Sequence, residues 1–169
     1  SVRVLFKWAK RLSLAVHVDQ LNPAMLRTGS SGSEVVAKEA WDLFTCWVPK
    51  TTERQAAMEI VAGVLGIPHE RVKQMTQLEK PTVQVTAQAF TAGRAVLPIN
   101  KDVHSTPGAV YAPTGLALRL LERCACAISA GEPILLVGET GTGKTSGIQH
   151  IARQVGKDLV VQNLNQQSD

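Results

Sequence analysis

The sequence contains only three cysteines, Cys46, Cys124 and Cys126, and they fit neither a metal-ligand spacing nor a disulfide framework. An odd count of this kind reads as reduced thiols in an intracellular protein. Cys124 and Cys126 stand two apart in a segment that reads as helix, which sends them to different faces. The four histidines (His17, His69, His104, His150) are far apart and include no HExxH pair, so neither a metal site nor a nucleophilic triad is built from them. No apolar run approaches the length of a membrane span, and no signal-peptide pattern opens the chain. The 18 Lys and Arg exceed the 14 Asp and Glu, for a net charge of +4 and a pI near 9.2. They are scattered rather than gathered in a stripe, which argues against a direct nucleic-acid face. Hydrophobic residues at 44% and charged residues at 19% exclude a disordered tail, and 169 residues allow one ordinary domain or two small ones.

What is present is concentrated near the end. Residues Gly138 to Thr145 read GETGTGKT, directly behind the apolar run Ile134-Leu135-Leu136-Val137. The run predicts a short buried strand behind Pro133. Beyond the glycines, Ile148, Ile151, Ala152 and Val155 recur at helical spacing, and Gly156 sits where a helix cap belongs. Strand, glycine-rich turn and helix are the context of a phosphate-binding loop. Gly138, Gly141 and Gly143 let the backbone close around phosphate oxygens with successive N–H groups inward. Lys144 supplies a point charge for the β- and γ-phosphates, and the Thr145 hydroxyl is placed to ligate Mg²⁺. The candidate ATP site therefore comprises Gly138, Glu139, Thr140, Gly141, Thr142, Gly143, Lys144, Thr145 and Ser146, with the positive end of the helix behind them.

Upstream, residues 1 to about 80 read as four short helices. Leu5, Trp8, Ala9, Leu12, Ala15 and Val16 mark the first, and Ser33 with Glu34 opens a second that runs towards Val48. Thr51 or Thr52 caps a third, with Ala56, Ile60 and Leu65 as its apolar side and an end near Gly66. The fourth follows Pro68 through Leu78. The pattern then changes: Thr82 to Thr86 alternates as a strand, and Gly93 to Pro98 reads as its hairpin mate, with Arg94 in a structural role. Pro107 and Gly108 punctuate a connector. A further amphipathic helix runs from Pro113 to about Ala130, with Leu116, Leu120, Leu121, Cys124 and Ile128 on its apolar side. Behind the loop helix, Asp158 to Leu164 reads as another strand. No apolar strand ending in paired acids follows the loop, so the cradle stands without the carboxylates that would hold the Mg²⁺ water and the general base. The sequence reads as a fragment with an incomplete parallel sheet.

Three stretches carry a resemblance to a known family. They are Ala112-Pro113-Thr114-Gly115 through Arg123 leading into Glu132 to Val137; the GETGTGKT loop with Gln149 and Ala152 behind it; and Val161-Gln162-Asn163-Leu164-Asn165-Gln166-Gln167-Ser168-Asp169. Together they resemble the midasins, giant dynein-related AAA+ ATPases that remodel precursors of the large ribosomal subunit. In such proteins six AAA+ modules lie head to tail on one chain, each an α/β domain followed by a helical lid.

The resemblance implies an α/β P-loop NTPase (AAA+) start preceded by an all-α helical lid bundle. Residues 1–80 would be the lid of one module, 81–112 a hairpin-like connector, and 113–169 the first part of the next module's large domain. Ser1-x-Arg3 resembles the second-sensor motif, so Arg3 would serve the nucleotide of the preceding module while Lys144 and Thr145 serve the next, with ATP and Mg²⁺ as cofactors. The implied partners are neighbouring AAA+ modules, the pre-60S ribosomal particle and its assembly factors, in the nucleus and with no membrane. A MoxR-type or dynein-like ATPase, or an interaction module with a vestigial loop, are the alternatives.

Overall fold

Helical spacing in the first eighty residues becomes four packed helices. A computed structural model of the chain describes residues 2–18, 21–23, 26, 28–100 and 111–162. Helix α1 (Val2–His17) buries Val4, Arg11 and Ala15, with Trp8, Leu12 and Val16 half-buried, while Leu5 and Ala9 face outward. Helix α2 (Ser31–Phe44) starts two residues before the expected Ser33, because the Ser30 hydroxyl accepts the Ser33 N–H at 3.3 Å and caps it. Helix α3 (Thr51–Val64) follows extended Lys50, so Thr51 and Thr52 are helical residues and not caps. Its buried side is Met58 and Ala62, not Ala56 and Ile60; Ile60 is 71% exposed. Two apolar ladders at i, i+4 spacing run along this helix, and the one carrying compact Ala62 meets Ala37 of α2. Helix α4 (His69–Lys73) begins after Pro68 and continues as a π-helical turn (Gln74–Leu78) instead of a single helix. Ala37, Met58, Ala62, Ile67, Val72 and Met75 make one core, and Ala15, Leu21 and Val36 a smaller one beneath α1.

The second half centres on an antiparallel meander, β1 (Val83–Val85), β2 (Ala89–Ala92) and β3 (Ala95–Pro98), in the order β1-β2-β3. The expected pairing of 82–86 with 93–98 is corrected: β2 lies between them, pairing Val85 with Phe90 on one side and Phe90 with Leu97 on the other. Thr86 turns the chain early, its hydroxyl oxygen accepting the Ala89 N–H at 3.0 Å. The alanines of β2 are weak strand formers, which hid it in the sequence. Helices α5 (Gly115–Ser129) and α6 (Lys144–Val155) pack on this sheet, closing a core of Phe90, Ala92, Leu97, Leu121, Ala125 and Ile151. Helix α5 is covered on two sides, so Cys124 and Cys126 are both buried although they point apart.

The expected parallel sheet is absent among the described residues; the one sheet there is antiparallel. Residues 134–137 and 158–162 carry no strand ladder. An extended apolar segment becomes a strand only with a partner for its N–H and C=O groups. Ile134 and Leu136 lean on the meander core, but Leu135 and Val137 are 87% and 86% exposed, and Val160 is 83% exposed. Ser1, the Pro107-Gly108 connector and residues 163–169 lie outside the described residues.

The two halves are joined by charge. Gly93 adopts φ +53 in the two-residue β2–β3 turn, and a Cβ there would lie 2.3 Å from the Glu122 carboxylate, so glycine admits that carboxylate against the turn. The next residue, Arg94, fans its buried guanidinium across three acids: Glu122 at 2.9 Å, Glu39 at 2.7 Å and Asp42 at 2.5 Å. Arg123 adds a second cation to Asp42 at 3.0 Å. Glu39 also accepts from Arg11 at 3.2 Å, and Arg11 reaches on to Glu132 at 2.7 Å. Elements α1, α2, the β2–β3 turn, α5 and the segment after α5 thus meet in one ion-pair network. Arg94 is structural, as expected. Burial pushes the Glu39 carboxyl above its ordinary value despite the arginines beside it, with neighbouring Asp42 adding to the rise.

Replacing Arg94 by Met strips Glu122 of its cation and leaves Glu39 and Asp42 with one each, and the expected loss is about 3–5 kcal/mol of unfolding free energy in urea titrations. Because Glu39 holds its proton more tightly folded than unfolded, its contribution is complete below the ordinary glutamate pKa and is lost as pH rises through the folded value. The stability of Glu39→Gln relative to the parent is therefore expected to increase between about pH 4.3 and neutrality; a flat difference across that range would contradict the assignment.

Candidate functional site

The glycine-rich loop lies between the α5 turn and α6, and local sequence explains its shape. Gly141 and Gly143 both take φ +82, a left-handed backbone that an ordinary side chain resists, and a Cβ on either would meet nothing within 4 Å. The loop is therefore held by backbone conformation and is open on its outer side. Gly143 caps α6 without a side chain, and the first intrahelical bond runs from the Gly147 N–H to the Gly143 carbonyl at 2.8 Å. The N–H groups of Lys144, Thr145 and Ser146 consequently have no partner within the helix and point out of its start. The Lys144 ammonium gathers on the loop itself, donating to the Gly138 carbonyl at 2.9 Å, the Glu139 carbonyl at 2.5 Å and Thr142 Oγ1 at 3.2 Å. Thr142 in turn donates to the Glu139 carbonyl at 2.9 Å. Thr145 and Ser146 are exposed on the first turn of α6.

Apart from the Glu139 carboxylate, the sequence-predicted residues 138–146 thus bring together donors: backbone N–H groups, one ammonium and four hydroxyls. Every one of these groups suits anionic oxygen, and the helix end adds its own positive field. This donor set fits a nucleotide phosphate chain. Mg²⁺ held mainly by phosphate and water needs a single protein hydroxyl, which Thr145 can supply. Among the described residues no group of three His, Cys, Asp or Glu side chains is placed to hold a metal ion by itself.

The apolar face of α6 anchors the loop from behind, with Ile151 and Val155 buried and Ile148 and Ala152 half-buried on the side the spacing predicts, Gly147 buried beside them, and Gly156 closing the helix at φ +65. Beside it, the half-buried His150 ring stacks on Tyr111 with centroids 4.7 Å apart. Desolvation lowers the His150 pKa, assisted by nearby Arg153, so the ring stays neutral at physiological pH. Arg3 lies exposed on the first turn of α1, and no contact joins it to residues 138–146.

Residues around the site that sequence reading missed are Lys10, Arg11 and Glu132. The Lys10 ammonium donates to the Ala130 carbonyl at 2.5 Å, and Arg11 makes a two-pronged contact with Glu132, Nε to Oε1 at 3.2 Å and Nη2 to Oε2 at 2.7 Å. No local pattern announces pairs so distant in the chain.

The cysteines are not part of this surface. Burial pushes the Cys124 thiol up to about 11 and the Cys126 thiol higher still, whereas Cys46 is exposed. Alkylation of the native chain at pH 8 is expected to label Cys46 alone, with Cys124 and Cys126 reacting only after denaturation; peptide mass spectrometry reads the difference.

Comparison with known proteins gives two curated relatives. The chain is 34% identical to a midasin of Dictyostelium discoideum over 193 aligned positions, covering 100% of the chain and 3% of the relative. It is 33% identical to a midasin of Giardia intestinalis over 185 positions, covering 98% of the chain and 4% of that relative. The chain thus spans a few hundredths of the length of the proteins it matches. No protein-family model matches it, and no solved structure does.

Proposed function

The chain belongs to the midasin family, and on that premise we propose that residues 138–146 form the ATP-binding loop of an AAA+ module, with the helical bundle before it the lid of the preceding module. The observation that carries this reading is the Gly138–Ser146 surface itself, a GETGTGKT loop whose left-handed glycines open onto a helix start and whose lysine is already turned onto the loop oxygens. On this reading residues 1–80 are the lid, 81–112 a β connector, and 113–169 the beginning of the next large domain.

The chain's own residues have defined tasks. The backbone from Glu139 to Gly143 wraps the β-phosphate. Lys144 exchanges its carbonyl partners for phosphate oxygens and offsets charge on the leaving and transferred groups, while Thr145 and Ser146 close the cradle at the helix start. Thr145 is the residue for Mg²⁺, and bound ATP supplies the phosphoanhydride that hydrolysis cleaves. Arg3, on the first turn of α1, serves as second sensor to the nucleotide of the preceding module and not to this one. The polarising carboxylates, the first sensor and an arginine finger lie elsewhere in the parent. The segments 134–137 and 158–162 are the first two strands of the parent's parallel sheet, which explains why apolar Leu135, Val137 and Val160 stand exposed here.

As part of a midasin-like ATPase the module works beside its neighbouring AAA+ modules, remodelling pre-60S particles and releasing their assembly factors in the nucleus. The family resemblance favours this reading over a MoxR-type or dynein-like ATPase. Titration calorimetry of the chain with Mg-ATP tests the site: weak binding is expected, abolished in Lys144→Ala, with no turnover by the chain alone. Equal binding by both proteins would refute the assignment of Lys144, and hydrolysis that Lys144→Ala abolished would refute the claim that the catalytic carboxylates lie elsewhere.

A further inference from the structure

The turn between α5 and the loop segment is gripped from the opposite half of the molecule. Helix α5 ends at Ala130 with Gly131 at φ +67, the Gly131 N–H bonding the Ile128 carbonyl at 3.0 Å and the Glu132 N–H the Ala127 carbonyl at 2.8 Å. This is a two-bond helix stop that fixes the direction in which the chain leaves. Onto it α1 places two consecutive cations. Lys10 takes the Ala130 carbonyl, and Arg11 takes both oxygens of Glu132, whose partner is only 8% exposed. Arg11 is itself held by Glu39 of α2, so the grip belongs to the bundle and not to a loose side chain. Glu132 lies six residues before Gly138. Between them the chain has no strand ladder; only Ile134 and Leu136 rest on the core, while Leu135 and Val137 face outward. On the far side the loop is anchored by α6 through Ile151 and Val155.

We propose that Lys10 and Arg11 of α1, acting through the Ala130–Glu132 turn, are positioning residues for the phosphate loop, so that the placement of the helical bundle sets the geometry of residues 138–145. The loop is suspended between two anchors, one of which is α6 and the other this ion-paired turn. A bidentate guanidinium–carboxylate contact is orientation-sensitive, so rotation of α1 is passed to Glu132 as a displacement of the chain running to the loop. The inference deepens the phosphate-site reading and rests on it for its functional meaning: α1 would begin at the second sensor of one nucleotide and hold, two turns further on, the approach to the next. Linkage then requires that ligand at the loop tighten the grip as the grip tightens the ligand.

The test uses the full chain, its Glu132→Gln variant, and Arg71→Met as a control. Arg71 bridges Glu34 and Glu79 within the bundle and touches nothing near the turn. Hydrogen exchange by mass spectrometry and Mg-ATP calorimetry are run on all three. In Glu132→Gln, exchange across residues 133–147 is expected to quicken roughly tenfold, the effect of losing about 1.4 kcal/mol of local closure, while α3 and α4 keep the parent's rates. The control is expected to show the reverse pattern. ATP affinity should weaken several-fold in Glu132→Gln and stay at the parent's value in Arg71→Met. Unchanged exchange over 133–147, or acceleration spread evenly through the chain, overturns the positioning role even if ATP binds normally. Selective acceleration with no ATP binding by the parent upholds the mechanical link and removes the phosphate-site reading instead.

Discussion

The architecture depends on a buried guanidinium. Arg94 sits at the tip of a two-residue turn, and its five donors are spread over acids from α2 and α5. The bundle core of Ala37, Met58 and Val72 and the meander core of Phe90, Leu121 and Ile151 are separate clusters. What lies between them is a chain of charges from Asp42 through Glu39 and Arg11 to Glu132. Buried ion pairs are not a strong source of net stability, since their desolvation opposes their attraction. They are a strong source of geometry, because any other relative placement strands charges without partners.

The balance within that chain is uneven. Arg11, Arg94 and Arg123 face Glu39, Asp42, Glu122 and Glu132, which leaves one carboxylate in excess of the cations. The surplus falls on Glu39, the acid squeezed between two arginines and Asp42, where desolvation outweighs attraction. A second, more exposed cluster behaves oppositely. Glu79 pays some desolvation but is drawn down by Lys38 and Arg71, and its stabilising effect is present at neutral pH and lost on acidification. Glu79 at the outer side of the bundle and Glu39 at the joint thus respond to pH in opposite directions.

Local sequence made much of this legible. The phosphate loop, the helix behind it and its glycine cap follow from short spacings, and the structure places Ile151, Val155 and Gly156 as those spacings require. The bundle helices were legible for the same reason, apart from the face of α3, where two ladders of similar hydrophobicity competed and the one with Met58 and Ala62 packed. The meander was half legible, since Val83 and Leu97 lie on patterned strands while alanine-rich β2 does not. Two kinds of information were out of reach. Pairings such as Arg11 with Glu132 join residues 121 apart and leave no periodic trace. The apolar runs at 134–137 and 158–162 have strand-like residues, but being a strand depends on a partner, and residue type cannot state whether one is beside it.

That last point bears on how the loop is held. A phosphate cradle in a sheet protein normally inherits its rigidity from the strand in front, whose ladder fixes every peptide plane. Here the segment in front is fixed only at intervals, by Glu132 at its start and by Ile134 and Leu136 against the core. The ordered elements on that side are α5, whose end forms the turn, and α1, a helix of the other half that grips that turn. Rigid elements transmit displacement to whatever they are bonded to, and only five residues, two of them seated on the core, separate the bonded turn from Gly138. The same network that fixes the two halves relative to each other thus also sets where the loop begins. In this chain the geometry of the candidate phosphate site is a property of the joint as much as of the GETGTGKT motif.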